Sequence, residues 1–274
     1  MRVELLGTAA AEGWPGLFCD CGVCAHARVH KGKDVRTRSS LLIDRCLKID
    51  FPPDTFYHTI AYNIELRTLQ ALLFTHAHDD HFCPTELQYS GVHFVSKLLE
   101  RPLPVYGPPE VIETLRPMQQ KSALPLELHT LCVWKTETIA GYEVTPIRAH
   151  HDPTITCFNY VLRDARGTTL LYASDTGWYD EETWSFLLNY KLDAVIAECT
   201  KGPIEGDYGG HMSISDVVKM KQWLLENGII RPDTPIVATH FSHNGGFTHA
   251  QLEAALGKAQ IVAAYDGYVL SVGQ

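Results

Sequence analysis

The decisive stretch is Leu72-Leu73-Phe74-Thr75-His76-Ala77-His78-Asp79-Asp80-His81. An apolar run of strand character feeds directly into His-x-His-x-Asp-His. In an extended segment alternate side chains share a side, so His76 and His78 can reach one divalent ion. Where the chain then turns, Asp80 and His81 can offer an oxygen and a nitrogen to a second ion close by. Imidazole with carboxylate suits Zn, Mn or Fe, and no thiolate in the cluster points to a softer metal. The alternative is a loop of solvated histidines and capping aspartates. Five potential ligands within the six residues His76 to His81 argue against it.

Working outward, other polar residues stand just past an apolar run in the same way. Asp175 follows Leu170-Leu171-Tyr172-Ala173-Ser174, His240 follows Ile236-Val237-Ala238-Thr239, and His150 and His151 follow Val144 to Ala149. Chemistry in α/β sheets gathers where successive strands end on one edge. Asp175 could be a plain turn residue before Gly177, and His240 a satisfied buried imidazole. Taken together they complete two ligand sets, which neither reading explains.

The remaining pattern is α/β. Short strand-like runs stand at Val3 to Leu6, Leu41 to Ile43, Leu69 to Thr75, Thr168 to Ala173, Ala194 to Ala197 and Ile236 to Thr239, with a closing pair near Ile261 to Ala264 and Tyr268 to Val272. Helices alternate with them. Ser213 with Asp216 caps one that stops at Asn227-Gly228, Thr248 with Gln251 forms a capping box for another, and Asp180 precedes a third. Pro84 to Pro125 is rich in proline and predicts two short helices over one end of the sheet. No linker or composition break divides the 274 residues, so one domain is expected over 1–274.

Composition bounds the function. The chain is 45% hydrophobic and 20% charged, which excludes wholesale disorder. Lys plus Arg is 23 against 32 Asp plus Glu, a net charge of −9 that disfavours nucleic acid and anionic membranes as partners. No apolar run reaches the ~18 residues of a spanning helix. Met1-Arg2-Val3-Glu4 lacks the form of a signal peptide, so a cytoplasmic location is expected. A homodimer is compatible with the sequence, which leaves the oligomeric state open.

Of eight cysteines, Cys19, Cys21 and Cys24 crowd together in Cys-x-Cys-x-x-Cys. In a reducing compartment such a cluster reads as metal binding before it reads as a disulfide. Three thiolates can hold zinc tetrahedrally with a fourth ligand from elsewhere, for which His26, His30 and His243 are candidates. His243 is attractive because it lies three residues beyond His240. A free, partly exposed thiol cluster is the alternative.

Asp50, His76-x-His78-x-Asp80-His81, His151, Asp175 and His240 follow one another in the order found in the metallo-β-lactamase superfamily, which the chain resembles. The resemblance implies an αββα sandwich with a dinuclear site at its edge. It implies that His76, His78 and His151 hold one cation, that Asp80, His81 and His240 hold the other, and that Asp175 bridges them. Asp50 would orient a ligand through a hydrogen bond. Between His150 and His151, the following Asp152-Pro153 favours His151. Gly7-Thr8, the cysteine cluster and Thr239-His240-x-x-His243 narrow the likeness to the phosphodiesterases of phosphonate degradation, which open a phosphoribosyl 1,2-cyclic phosphate. That narrower likeness implies a structural zinc on Cys19, Cys21, Cys24 and His243, and a pair of Zn or Mn ions at the active site.

The expected chemistry is attack on phosphorus by a hydroxide formed between two cations, with a small phosphorylated molecule as substrate. Asp80 and His211 are the catalytic candidates. His211, in Gly209-Gly210-His211-Met212-Ser213, stands before a helix start where backbone N–H groups favour an anion. Glu198 is either a supporting carboxylate or a solvated strand end. Trp14, Trp178 and Tyr208 could line the pocket or simply pack. Rival readings on the same fold are a nuclease or tRNA-processing relative, a lactone or thioester hydrolase, and a non-catalytic accessory protein in cofactor biosynthesis.

Overall fold

A computed structural model of the chain describes residues 1–206 and 209–273. Two mixed β-sheets pack face to face. The first holds β1 (Arg2–Gly7), β2 (Ser40–Ile43), β3 (Leu47–Ile49), β4 (Ala71–Leu73), β5 (Leu103–Gly107), β6 (Leu126–Thr130) and, at its far edge, β14 (Tyr268–Ser271), in the order β14-β1-β2-β3-β4-β5-β6. The second holds β7 (Glu137–Ile139), β8 (Tyr142–Arg148), β9 (Phe158–Arg163), β10 (Thr169–Ala173), β11 (Ala194–Glu198), β12 (Ile236–Thr239) and β13 (Val262–Ala263), in the order β13-β12-β11-β10-β9-β8-β7.

The alternation of side chains along a strand builds the layers. Leu170, Tyr172, Ala194, Ile196 and Val237 face inward, against Val3, Leu5, Leu41, Ile49 and Leu73 of the first sheet. The intervening Leu171, Val195, Ala197 and Ala238 face outward and are covered by Trp184 and Leu187 of α5 (Glu181–Leu187), Met220 and Leu224 of α6 (Ile214–Glu226), and Leu252 and Leu256 of α7 (His249–Gly257). Buried on both faces, these strands read as near-continuous apolar runs. On the opposite side, Leu72 and Val105 pack under Val111, Ile112 and Leu115 of α4 (Pro109–Ser122). The result is the αββα sandwich. Among the described residues no helix is long and apolar enough to cross a membrane.

The caps at Ser213 and Thr248 are both full capping boxes, and α6 stops at Glu226, just before Asn227-Gly228. The closing pair of strands is present, and its members join different sheets: β13 runs parallel to β12, and β14 runs antiparallel to β1. The chain crosses between sheets at the intervening turn, where Ala264 N donates to Ala238 O and Gly267 N to Leu5 O. The two short helices expected over Pro84 to Pro125 are corrected: the segment contains one short helix, α3 (Pro84–Leu87), the 14-residue α4, and the sheet strand β5. Pro104 within Leu103–Gly107 disguises that strand.

Strand direction places the site. β10, β11 and β12 are mutually parallel, and β8 joins them in direction through two antiparallel steps across β9. β3 and β4 are parallel in the other sheet. The residues just past β3, β4, β8, β10, β11 and β12 therefore emerge on one edge of the sandwich.

Candidate metal centre

Three of these strand-end residues turn through the left-handed region: Asp50 at φ 61°, Asp175 at φ 48° and His240 at φ 56°. Non-glycine residues rarely adopt this conformation, and they do so where surrounding contacts hold them. Gly177 allows the turn after Asp175 to close: a Cβ there would lie 1.5 Å from Gly209 O.

The turns bring together two groups of donor atoms. His76, His78 and His151 form one, and Asp80, His81, Asp175 and His240 the other, with the candidate ligand atoms within each group no more than 4.8 Å apart. Asp175 lies between them, its Oδ2 3.3 Å from His76 Nε2 and 2.8 Å from His81 Nε2, its Oδ1 2.8 Å from His240 Nε2. His151 turns inward, with Nε2 3.1 Å from His78 Nδ1. His150 turns outward, with Nδ1 3.1 Å from Asp180.

The outer nitrogen of every imidazole in these groups meets an oxygen. His81 Nδ1 donates to Asp50 Oδ2 at 2.7 Å, His240 Nδ1 to Thr200 Oγ1 at 2.8 Å, and His151 Nδ1 to Gly210 O at 3.0 Å. His78 Nε2 donates to Asp152 Oδ2 at 3.1 Å, and His76 Nδ1 to Thr75 Oγ1 at 3.0 Å. With those N–H groups directed outward, the inner nitrogens present lone pairs to one another: His76 Nε2 to His78 Nδ1 at 3.0 Å, and His81 Nε2 to His240 Nε2 at 3.2 Å. Asp175 Oδ1 is buried with no aligned hydrogen-bond donor among the described residues. Converging lone pairs and an orphaned carboxylate oxygen are what bound cations would satisfy, so the donor set fits divalent metal.

Charge is matched inside the cluster. Burial works to raise the Asp175 carboxyl, but His240 and His81 outweigh it and hold the group well below the usual carboxylate range. Asp80 follows the same pattern, with His81 as its strongest partner. With no cation between them, burial lowers the His240 imidazole and Asp175 pulls it back up to about 10, so a bound cation would have to displace the proton from its inner nitrogen.

Glu198, which follows the apolar residues of β11, is no solvated strand end. It is fully buried and accepts from Thr176 N, Thr200 N and His211 Nδ1, the last at 2.6 Å. His211 also lies 3.8 Å from Asp175 Oδ1. The helix start behind it is already capped, since Ser213 and Asp216 satisfy each other's backbone N–H. His211, still partly exposed, pairs there with the buried Glu198. Trp14, only 1% exposed, packs in the core, and Trp178 is stacked by Lys219 and Trp184. Tyr208 lies outside the described residues. Thr75, Thr200, Asp152 and Gly210 were not legible as supports, because nothing in their local sequence signals a partner brought by the fold.

The cysteine cluster gathers beside this edge. Cys19 Sγ and Cys21 Sγ each lie 3.7 Å from His243 Nδ1, and Cys24 joins them within 4.8 Å. A tetrahedron with 2.3 Å metal–sulfur bonds has edges of about 3.8 Å. Gly16 makes room: a Cβ there would meet His243 Nε2 at 2.7 Å. His26 and His30 are drawn elsewhere, stacking on each other while His26 faces Asp34.

A cavity of about 750 Å³ borders the His151 end of the centre, lined in part by Arg148, His150, His151, Asp152 and Asp180.

Comparison with known proteins agrees with this fold. The family described as the beta-lactamase superfamily domain matches residues 49–228. No curated protein matches the chain by sequence. Among solved structures, a diphosphatase of the PhnP family is similar at 20% identity and TM-score 0.77, covering 98% of this chain and 97% of its own. Zn(2+)-bound PqqB from Methylobacterium extorquens shares 18% identity at TM-score 0.76, with 99% and 100% covered. The short form of human tRNase Z shares 18% identity at TM-score 0.67, with both chains covered fully. At these identities the likeness establishes the fold. The family match and the sandwich together place the chain in the metallo-β-lactamase superfamily of metal-dependent hydrolases.

Proposed function

We propose that this chain is a dinuclear-metal phosphodiesterase that opens a small cyclic phosphate, such as a phosphoribosyl 1,2-cyclic phosphate. The observation that carries the reading is the pair of lone-pair clusters meeting at Asp175, with the His211–Glu198 pair beside them. His76, His78 and His151 would hold one cation, Asp80, His81 and His240 the other, and Asp175 both. Zinc and manganese suit these donors. Such a cation pair supplies Lewis acidity and a water that ionises near neutral pH.

The chain's own residues do the rest. Asp50, Thr75, Thr200, Asp152 and Gly210 hold the imidazoles in one tautomer and one orientation. Asp80, 8% exposed, brings negative charge to the centre and so adds to the pull on the cations. His211 keeps a proton on Nδ1 for Glu198 and sits at the edge of the cluster. Burial lowers its imidazole, but Glu198 outweighs burial and raises it above the ordinary histidine value. A protonated imidazole so placed can deliver a proton to the departing sugar oxygen. Cys19, Cys21, Cys24 and His243 would hold a separate zinc, tying the N-terminal loop to the loop that carries His240. The net charge of −9 favours a small substrate over nucleic acid, and suits a soluble, cytoplasmic setting.

The test is elemental analysis after metal reconstitution, followed by turnover on a substrate panel. Two chelatable ions beyond the thiolate-bound zinc and activity on cyclic phosphates are expected. Turnover of lactones, thioesters or precursor tRNA in place of cyclic phosphates would redirect the assignment, and no turnover of any of them would favour an accessory role.

A further inference from the structure

The middle residue of β3 is a lysine. On a three-residue strand Leu47-Lys48-Ile49, alternation sends it away from the inter-sheet core, to the outer face where its strand partners Leu42 and Leu72 are buried. Lys48 is likewise 0% exposed. Its Nζ donates to Asp50 O at 2.6 Å and to Ser40 Oγ, and lies 5.4 Å from the Phe51 ring centre. Ser40 Oγ approaches Ile49 O and the same Asp50 O, at 3.0 Å each. A buried ammonium is costly unless it is paired and hydrogen-bonded, so its position calls for a reason.

The reason lies in what Asp50 does. Its left-handed backbone, φ 61°, turns the carboxylate under Thr75. There it accepts from Thr75 N and Thr75 Oγ1 and from His81 Nδ1. Thr75 Oγ1 in turn accepts from His76 Nδ1. One carboxylate thus orients an imidazole in each of the two donor groups, one directly and one through a hydroxyl. Lys48 and Ser40 grip the carbonyl of that same residue; burial lowers the Lys48 ammonium to about 7, and the Asp50 charge opposes the fall.

We infer that Lys48 is a positioning residue for the metal centre: it clamps the turned backbone of Asp50, and through Asp50 and Thr75 it sets the orientation of His81 and His76. This rests on the proposed use of His81 and His76 as metal ligands.

Lys48→Met keeps volume and removes the charge and both hydrogen bonds. Zinc affinity is read by competition with a chromophoric chelator. The cobalt-substituted protein is read by its ligand-field spectrum, with the thiolate charge-transfer bands of the cysteine site as internal control. A 10–100-fold loss of affinity for the His81 ion is expected, with altered ligand-field bands and unaltered thiolate bands. Wild-type affinity with an unchanged spectrum overturns the inference. If Lys48→Met does not fold, Ser40→Ala, which trims the same clamp, should weaken binding at least ~3-fold, and no change overturns the inference. If the wild-type protein holds no ion at His81, the proposed function fails by itself. The hydrogen-bonded His81 Nδ1 proton, read by NMR in metal-free protein, then decides: a resonance displaced or lost in Lys48→Met supports the inference, and one left in place overturns it.

Discussion

His211 Nδ1 stands 2.6 Å from Glu198 Oε1, and the two residues come from opposite ends of a 13-residue separation. Glu198 is fully buried at the end of a strand, while His211 retains some exposure at the lip of the donor cluster. The carboxylate fixes which nitrogen of the imidazole keeps its proton and favours the charged ring. That is the arrangement a general acid needs: an anchored donor with solvent-side reach.

His211→Ala should therefore lower kcat by roughly 10²–10⁴-fold on the cyclic phosphate while leaving two chelatable ions in place. Glu198→Gln should act in the same direction with a smaller effect, since the ring remains. Steady-state kinetics with metal analysis on both variants checks this. A wild-type rate in His211→Ala would reduce the residue to packing.

Asp175→Ala removes the carboxylate that approaches His76, His81 and His240 at 3.3 Å or less. Occupancy at the histidine and aspartate centre should drop from two ions to one or fewer, and activity should vanish. Full metal loading, measured by plasma mass spectrometry, would contradict the bridging assignment.

Cys21→Ser should cost one equivalent of zinc and leave the histidine and aspartate centre's own stoichiometry intact. A loss near 2 kcal/mol would lower the melting temperature by roughly 4–8 °C in a chain of this size. An unchanged zinc count would remove the proposed structural role of the cluster.

His58 supplies a pH test away from the centre. It is fully buried, with Nε2 2.7 Å from Thr37 Oγ1 and Nδ1 without a described partner. Burial, reinforced by the Lys48 charge, lowers its imidazole to about 2. An unfolded histidine takes up its proton near pH 6.5, so the unfolded state binds more protons between about pH 2 and 6.5. This group's contribution to stability is present above pH 6.5 and is lost as pH falls. His58→Gln should flatten denaturant-measured stability against pH by up to about 1.4 kcal/mol per pH unit between pH 4 and 6. An identical slope in both proteins would show that the ring gains its proton while folded.

Much of the centre was legible because its signals are local. His76, His78, Asp80 and His81 sit within six residues after an apolar strand, and Asp175 and His240 each stand at the end of another. The caps at Ser213 and Thr248 were readable for the same reason, since a capping box spans four residues. Strands such as Phe158–Arg163 and Leu103–Gly107 were missed, the latter because Pro104 interrupts it. The separation of β13 from β14 was hidden because a short apolar pair with a turn between looks like a hairpin whichever sheet each half joins.

By itself, then, the sequence determined the alternation of strands and helices, the kinds of donor atom available, and the strand ends that carry them, since these depend on residue type and on neighbours a few positions away. Only the tertiary structure decided that His151 turns inward and His150 outward, that Glu198 serves His211, that His243 rather than His26 or His30 joins the cysteines, and that Lys48 is buried beneath Asp50. Each of those outcomes is a contact between segments distant in the chain or a choice between neighbours with the same chemistry. Strand direction and sheet packing settle both, and no short stretch of sequence encodes either.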